Sequence, residues 1–196
     1  MLHPGEAIVI ALPRITATVV FSRVACVWEG VLRYFLDTEF NGFGGVLLSL
    51  ALVREDGLSL YLVYPPPQRI DPWVERNVLP KLASVPAGVE PVAVEQRSGA
   101  RAIAAFLDGD HNPKIIADWP DDIRLMCQAL MLGPGSTVLM ERIAFEILRV
   151  EPYPSDLDGA VEHNAWWDAM ALRRRLMRHE MADGDCGPPA VAVSTA

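Results

Sequence analysis

Asp37 and Glu39 stand two residues apart at the end of an apolar run, Leu32 to Phe40, that reads as a buried strand. In a strand, residues two apart point to the same side, so these acids would project together from a sheet. Adjacent carboxylates repel unless positive charge lies between them, and a hard divalent cation with oxygen ligands supplies it. An isolated Asp-x-Glu can equally be an acidic strand exit, so the reading gains weight only through partners downstream.

Two segments offer partners. Ala117-Asp118-Trp119-Pro120-Asp121-Asp122-Ile123 would bring an acid in on the first turn of a helix, because Pro120 suits a helix start. His163-Asn164-Ala165-Trp166-Trp167-Asp168-Ala169 sets a histidine five residues ahead of an acid. Five residues on a helix turn through about 500°, so His163 and Asp168 would not share a helical face. His163 therefore belongs on the loop before the helix, where it can swing over a site.

In order, spacing and local context these three segments resemble the motifs of the DEDDh class of 3′-to-5′ exonucleases, over roughly residues 31 to 179. Within that class the chain is most similar to the small bacterial exoribonucleases called RNase AS. The points of likeness are Arg33-Tyr34-Phe35 running into Asp37-Thr38-Glu39-Phe40, Glu55-Asp56-Gly57, Trp73-Val74, Val78-Leu79-Pro80-Lys81-Leu82, and Asp122 with Cys127. The resemblance implies an α/β domain of the RNase H-like (DnaQ-like) fold, a mixed sheet flanked by helices. It also implies that Asp37, Glu39, Asp122 and Asp168 hold two Mg²⁺ or Mn²⁺ ions, with Asp37 as the bridge. Two such ions, about 3.5–4 Å apart, serve phosphodiester hydrolysis by activating the attacking water and neutralising the leaving oxygen. His163 would be the general base, since a neutral imidazole takes up a proton near pH 7.

The implied substrate is single-stranded RNA, cut to nucleoside monophosphates, with the adenylate preference of the RNase AS relatives. A homodimer is implied as well. For substrate contact the candidates are Thr38, Phe40 and Trp119, with Trp166 and Trp167 as further ones, although at least one of that last pair should pack inside; an aromatic ring stacks on a terminal base with little sequence preference. A DNA exonuclease would use the same five catalytic residues, and a non-catalytic nucleic-acid-binding module is a third reading.

Each residue taken alone has a plainer explanation. Asp121 and Asp122 in a first helical turn would oppose the helix dipole, His163 would cap or face solvent, and Asp168 would be a solvated helix acid. Phe40 could be ordinary core. Asp118 sits at a strand end and competes with Asp122 as the second-motif acid; helix phasing favours Asp122. Asp156, Asp158 and Glu162 read as loop acids. Arg173, Arg174, Arg175 and Arg178 could meet phosphates or form a solvated face.

The elements that must position these groups follow from the rest of the chain. With 196 residues, 51% hydrophobic and 21% charged, one domain is expected, burying about 70% of the unfolded chain's surface. The net charge of −8 argues against a coat of basic groups on nucleic acid; it leaves room for a local, metal-assisted phosphate site. Cys26, Cys127 and Cys186 are odd in number and far apart, which fits neither a zinc site nor a disulfide framework and suggests a reducing, cytoplasmic setting. Pro13 and Arg14 interrupt the apolar leader, so no run reaches the about 18 residues of a membrane span, and no signal peptide is evident.

Residues 1–30 read as an extension of uncertain structure, 31–179 as the exonuclease-like domain, and 180–196 as a disordered tail. A three-strand meander is expected at Leu32–Phe40, Val46–Arg54 and Leu58–Tyr64, turned by the glycines after Asn41 and by Asp56-Gly57. Pro65-Pro66-Pro67 should end it. Helices are expected over Pro72–Leu79, Ser98–Asp108, from Pro120 with Ile123, Met126, Cys127 and Leu130 inward, and over Asn164–Arg178. A short strand is expected at Lys114–Ala117; residues 137–150 fit either helix or strand, with a strand favoured at Phe145–Val150. Residues 83–95 give no clear assignment.

Overall fold

The computed structural model describes residues 32–149 and 157–184. The leader, Val150, Asp156, Cys26, Cys186 and the tail beyond Gly184 lie outside the described residues. Among the described residues no helix is long and apolar enough to cross a membrane.

Strands β1 (Arg33–Phe40), β2 (Leu47–Arg54) and β3 (Ser59–Val63) form the expected antiparallel meander. The β1–β2 turn needs its glycines as backbone: Gly42 and Gly44 have positive φ, and a Cβ on Gly45 would lie 1.9 Å from the Asn41 carbonyl oxygen. That loop is a turn, closed by hydrogen bonds from Gly45 N–H to the Gly42 carbonyl and from Asn41 N–H to the Val46 carbonyl. Beyond the three prolines come helix α1 (Pro72–Asn77) and a 3-10 turn, Leu79–Lys81. Helical geometry tightens there because Pro80 has no amide hydrogen and crowds the residue before it.

The stretch that resisted assignment contains a short strand, β4 (Val92–Ala93), parallel to β3. Helix α2 (Gln96–Leu107) follows, then β5 (Lys114–Ala117) and α3 (Pro120–Ala129). A small hairpin, β6 (Met131–Gly133) and β7 (Ser136–Thr137), follows where the sequence predicts no strand. Strand β8 (Ala144–Ile147) and helix α4 (Ala165–Gly184) complete the described chain. Helix α4 continues six residues past Arg178, so the first residues assigned to a tail are helical.

The result is an α/β structure around a mixed six-stranded sheet, ordered β4-β3-β2-β1-β5-β8. Strand β1 is central, antiparallel to β2 and parallel to β5, so β1 and β5 end side by side at the same edge. Alternation along β1 divides the core. Tyr34 and Leu36 pack with Ile103, Leu107, Met126 and Ala129 of α2 and α3, whereas Phe35 packs with Ala169 and Leu172 of α4 on the opposite face.

One expectation about α3 is corrected. Its inward stripe is Asp122, Leu125, Met126 and Ala129, rotated by one position from the expected set, and Cys127 is exposed instead of core. The rotation puts a carboxylate on the buried face, where hydrogen bonds from the sheet offset the desolvation.

Candidate functional site

The site is built where β1 and β5 end together, a position at which α/β sheets commonly bind ligands. Asp37 and Glu39 keep the parity of Phe35 and so rise on the α4 side, while Thr38 faces α3. An irregularity in the β1–β2 pairing between Glu39 and Phe40 ends the regular ladder just past the acids.

Asp122, only 2% exposed, is fixed from the sheet. Thr38 donates its backbone N–H and its hydroxyl to Asp122 Oδ1, at 3.1 and 2.6 Å. The neighbouring Asp121 instead accepts from Arg124 Nε at 2.6 Å, which separates the two adjacent acids by their partners. Thr38, expected among the substrate contacts, spends both of these donors on positioning Asp122.

Asp168 enters from the first turn of α4. Asn164, fully buried, caps that helix: its Oδ1 accepts the backbone N–H groups of Trp166 and Trp167, at 3.1 and 3.4 Å. The Asn164 backbone N–H donates to Asp168 Oδ2 at 3.3 Å. His163 precedes this cap and lies outside the helix, as its spacing predicts.

Eight of the residues proposed from the sequence line one open pocket of about 730 Å³: Asp37, Thr38, Glu39, Phe40, Trp119, Asp122, His163 and Asp168, together with Asp118 and Glu162; Trp166 and Trp167 pack in the core instead. Two sets of carboxylates come within mutual ligand reach, each with oxygens inside 4.8 Å: Asp37, Asp118 and Asp122, and Asp37, Glu39 and Asp168. Asp37 belongs to both.

So much negative charge in a partly desolvated place raises the proton affinity of every member. Burial and then the neighbouring acids push Asp37 well above the usual carboxylate range and Glu39 up to about 8. Burial is also the main cause that raises Asp122 and Asp168 to about 7, and it raises Asp118 too. His163 is shifted the other way, downward, by burial and by the Lys81 charge, with Glu162 opposing.

This donor set fits a hard divalent cation. The oxygens are all carboxylate, they converge, and Asp122 Oδ2 is buried with no hydrogen-bond partner among the described residues. A cation would satisfy that atom and relieve the repulsion.

Trp119 stands at the N-terminus of α3, 49% exposed, with the Arg149 guanidinium 5.4 Å over its ring. Arg173 is structural: its guanidinium donates twice to the Glu55 carbonyl oxygen, at 3.0 and 2.7 Å, tying α4 to the β2–β3 turn. Arg174, Arg175 and Arg178 are not without partners.

Sequence reasoning missed part of the surroundings. Asp118 was set behind Asp122, yet both reach Asp37. Glu162 lines the pocket, and the Lys81 charge acts on Glu39, Asp168 and His163. Asn164 had a readable signal, an Asn directly before a helical run with an acid four residues on; Lys81 stood only within the Val78-Leu79-Pro80-Lys81-Leu82 likeness, with no role at the site. No protein-family model matches the chain, and no curated protein matches it significantly.

Proposed function

We propose that this chain is a metal-dependent 3′-to-5′ exonuclease of the DEDDh kind, on an RNase H-like fold, that shortens single-stranded RNA to nucleoside monophosphates. The observation that carries the reading is the double membership of Asp37 in two convergent carboxylate groups, beside an imidazole in the same pocket. Asp37, Glu39, Asp122 and Asp168 would hold two Mg²⁺ or Mn²⁺ ions, with Asp118 within reach of the first. Such a pair, when bound, supplies the positive charge that phosphodiester hydrolysis needs on the attacking and leaving oxygens.

The protein's own part follows from its side chains. Thr38 holds Asp122 in place, and the Asn164 cap holds Asp168. The downward shift of His163 keeps its imidazole neutral at pH 7, ready to accept the proton of the attacking water at a ring nitrogen. Phe40 and Trp119 flank the acids and offer ring faces to the terminal bases. Preference for adenylate and assembly as a homodimer belong to the same proposal.

Hydrolysis of a single-stranded oligoribonucleotide in Mg²⁺ or Mn²⁺ tests the reading. Intact RNA and DNA after incubation with the metal-loaded protein would overturn it.

A further inference from the structure

His163 is the only non-glycine among the described residues with a left-handed backbone, φ 59°. Residues with a Cβ adopt that conformation rarely, so the surroundings must hold it. Its imidazole makes no hydrogen bond among the described residues. A general base is ordinarily aimed by an acceptor on its second ring nitrogen; here the described contact is with an aromatic ring. Trp73 meets the imidazole edge to face, with centroids 4.9 Å apart and an interplanar angle of 80°.

Trp73 is itself held from both sides of the site. It lies on α1, whose cap Asp71 accepts the Trp73 and Val74 N–H groups at 2.7 and 3.4 Å. Asn41, the first residue beyond the acidic strand, fastens that start: its Oδ1 accepts from the Asp71 N–H at 2.8 Å and its Nδ2 donates to the Arg69 carbonyl at 2.9 Å. At the far end Asn164, adjacent to His163, donates from Nδ2 to the Lys81 carbonyl at 2.8 Å. Beneath, Val74 and Val78 pack on Leu48. Residues 69–81 thus form a strap from the end of β1 to the start of α4, with the indole against the imidazole.

We infer that Trp73 is a positioning residue for His163, its indole setting the direction in which the imidazole faces the acids. The inference rests on the proposed role of His163 as base. Trp73 is 48% exposed and belongs to none of the buried core clusters among the described residues. Its contact with His163 is what the ring contributes, and misaiming a base by about 1 Å can cost on the order of 100-fold in rate.

The test uses Trp73→Ala, Trp73→Phe, His163→Ala and the Trp73→Ala/His163→Ala double variant of the full chain. In the metal-free protein the His163 ring protons, assigned by their loss in His163→Ala, should carry a ring-current shift. That shift should collapse in Trp73→Ala and partly persist in Trp73→Phe, with thermal melting unchanged in both. On RNA, Trp73→Ala should lower kcat at least about tenfold with KM within about twofold. Trp73→Phe should recover most of the rate, and Trp73→Ala should cost nothing further once His163 is removed.

An unchanged His163 resonance in Trp73→Ala would overturn the inference, as would a raised KM with kcat kept, which would make the indole a substrate contact. His163→Ala with full activity would overturn the base assignment and the inference together. A His163→Ala variant that is inactive beside a fully active Trp73→Ala would overturn the inference alone.

Discussion

Thr38 and Asp122 are joined by two hydrogen bonds to the same oxygen, leaving the other oxygen of a buried carboxylate without a hydrogen-bond partner among the described residues. A strand residue on one face of the sheet thereby aims a helix residue at acids that rise from the other. Thr38→Val keeps the shape and removes the hydroxyl, so it should destabilise the protein by about 1–2 kcal/mol. In nuclease assays kcat should fall with little change in KM. A raised KM alone would return Thr38 to the substrate contacts.

Stability should depend on pH through the acids themselves. The folded values of about 8 for Glu39 and about 7 for Asp122 and Asp168 lie above the ordinary 4.5 and 3.8. The folded state therefore binds these protons more tightly than the unfolded chain does. Their contribution is fully present below about pH 4 and is lost as pH rises through about 7 to 8. Without divalent ions, the melting temperature of the wild type relative to Asp122→Asn should fall across that window. Mn²⁺ should restore it, more at pH 8 than at pH 5; a metal-free difference that is flat with pH would contradict this.

Metal stoichiometry should follow the shared position of Asp37. Calorimetry with Mn²⁺ should give two ions in the wild type, one in Asp168→Asn, and loss of both tight sites in Asp37→Asn. One tight ion retained in Asp37→Asn would show that the two carboxylate groups act separately.

Arg173→Ala should act on stability and not on catalysis. Removing its two bonds to the Glu55 carbonyl should cost about 1–3 kcal/mol. Rate and KM measured well below the melting transition should stay at wild-type values. A selective rise in KM would mean that the guanidinium meets phosphate.

The parts legible in the sequence were those set by local rules. The period of two along β1 put Asp37 and Glu39 on one side, Pro120 marked the start of α3, and the five-residue spacing kept His163 off α4. The meander followed from its turn residues. What escaped was set by contacts distant in the chain. The phase of α3 turns on Thr38, 84 positions before Asp122; apolar periodicity alone favoured Cys127 as core. Asn164 reaches Lys81 across 83 positions, and the strap bearing Trp73 depends on Asn41. The short pair β6 and β7 and the two-residue β4 carry too few residues to show a period.

The most direct test of the central claim is digestion of 5′-labelled single-stranded RNA and matched DNA in Mg²⁺ or Mn²⁺, with Asp37→Ala as control. The account predicts a ladder that shortens from the 3′ end of the RNA, releases nucleoside monophosphates and disappears in the variant. A ladder on DNA alone would contradict the assigned substrate, and no ladder on either strand from protein shown to bind the metal would contradict the nuclease itself.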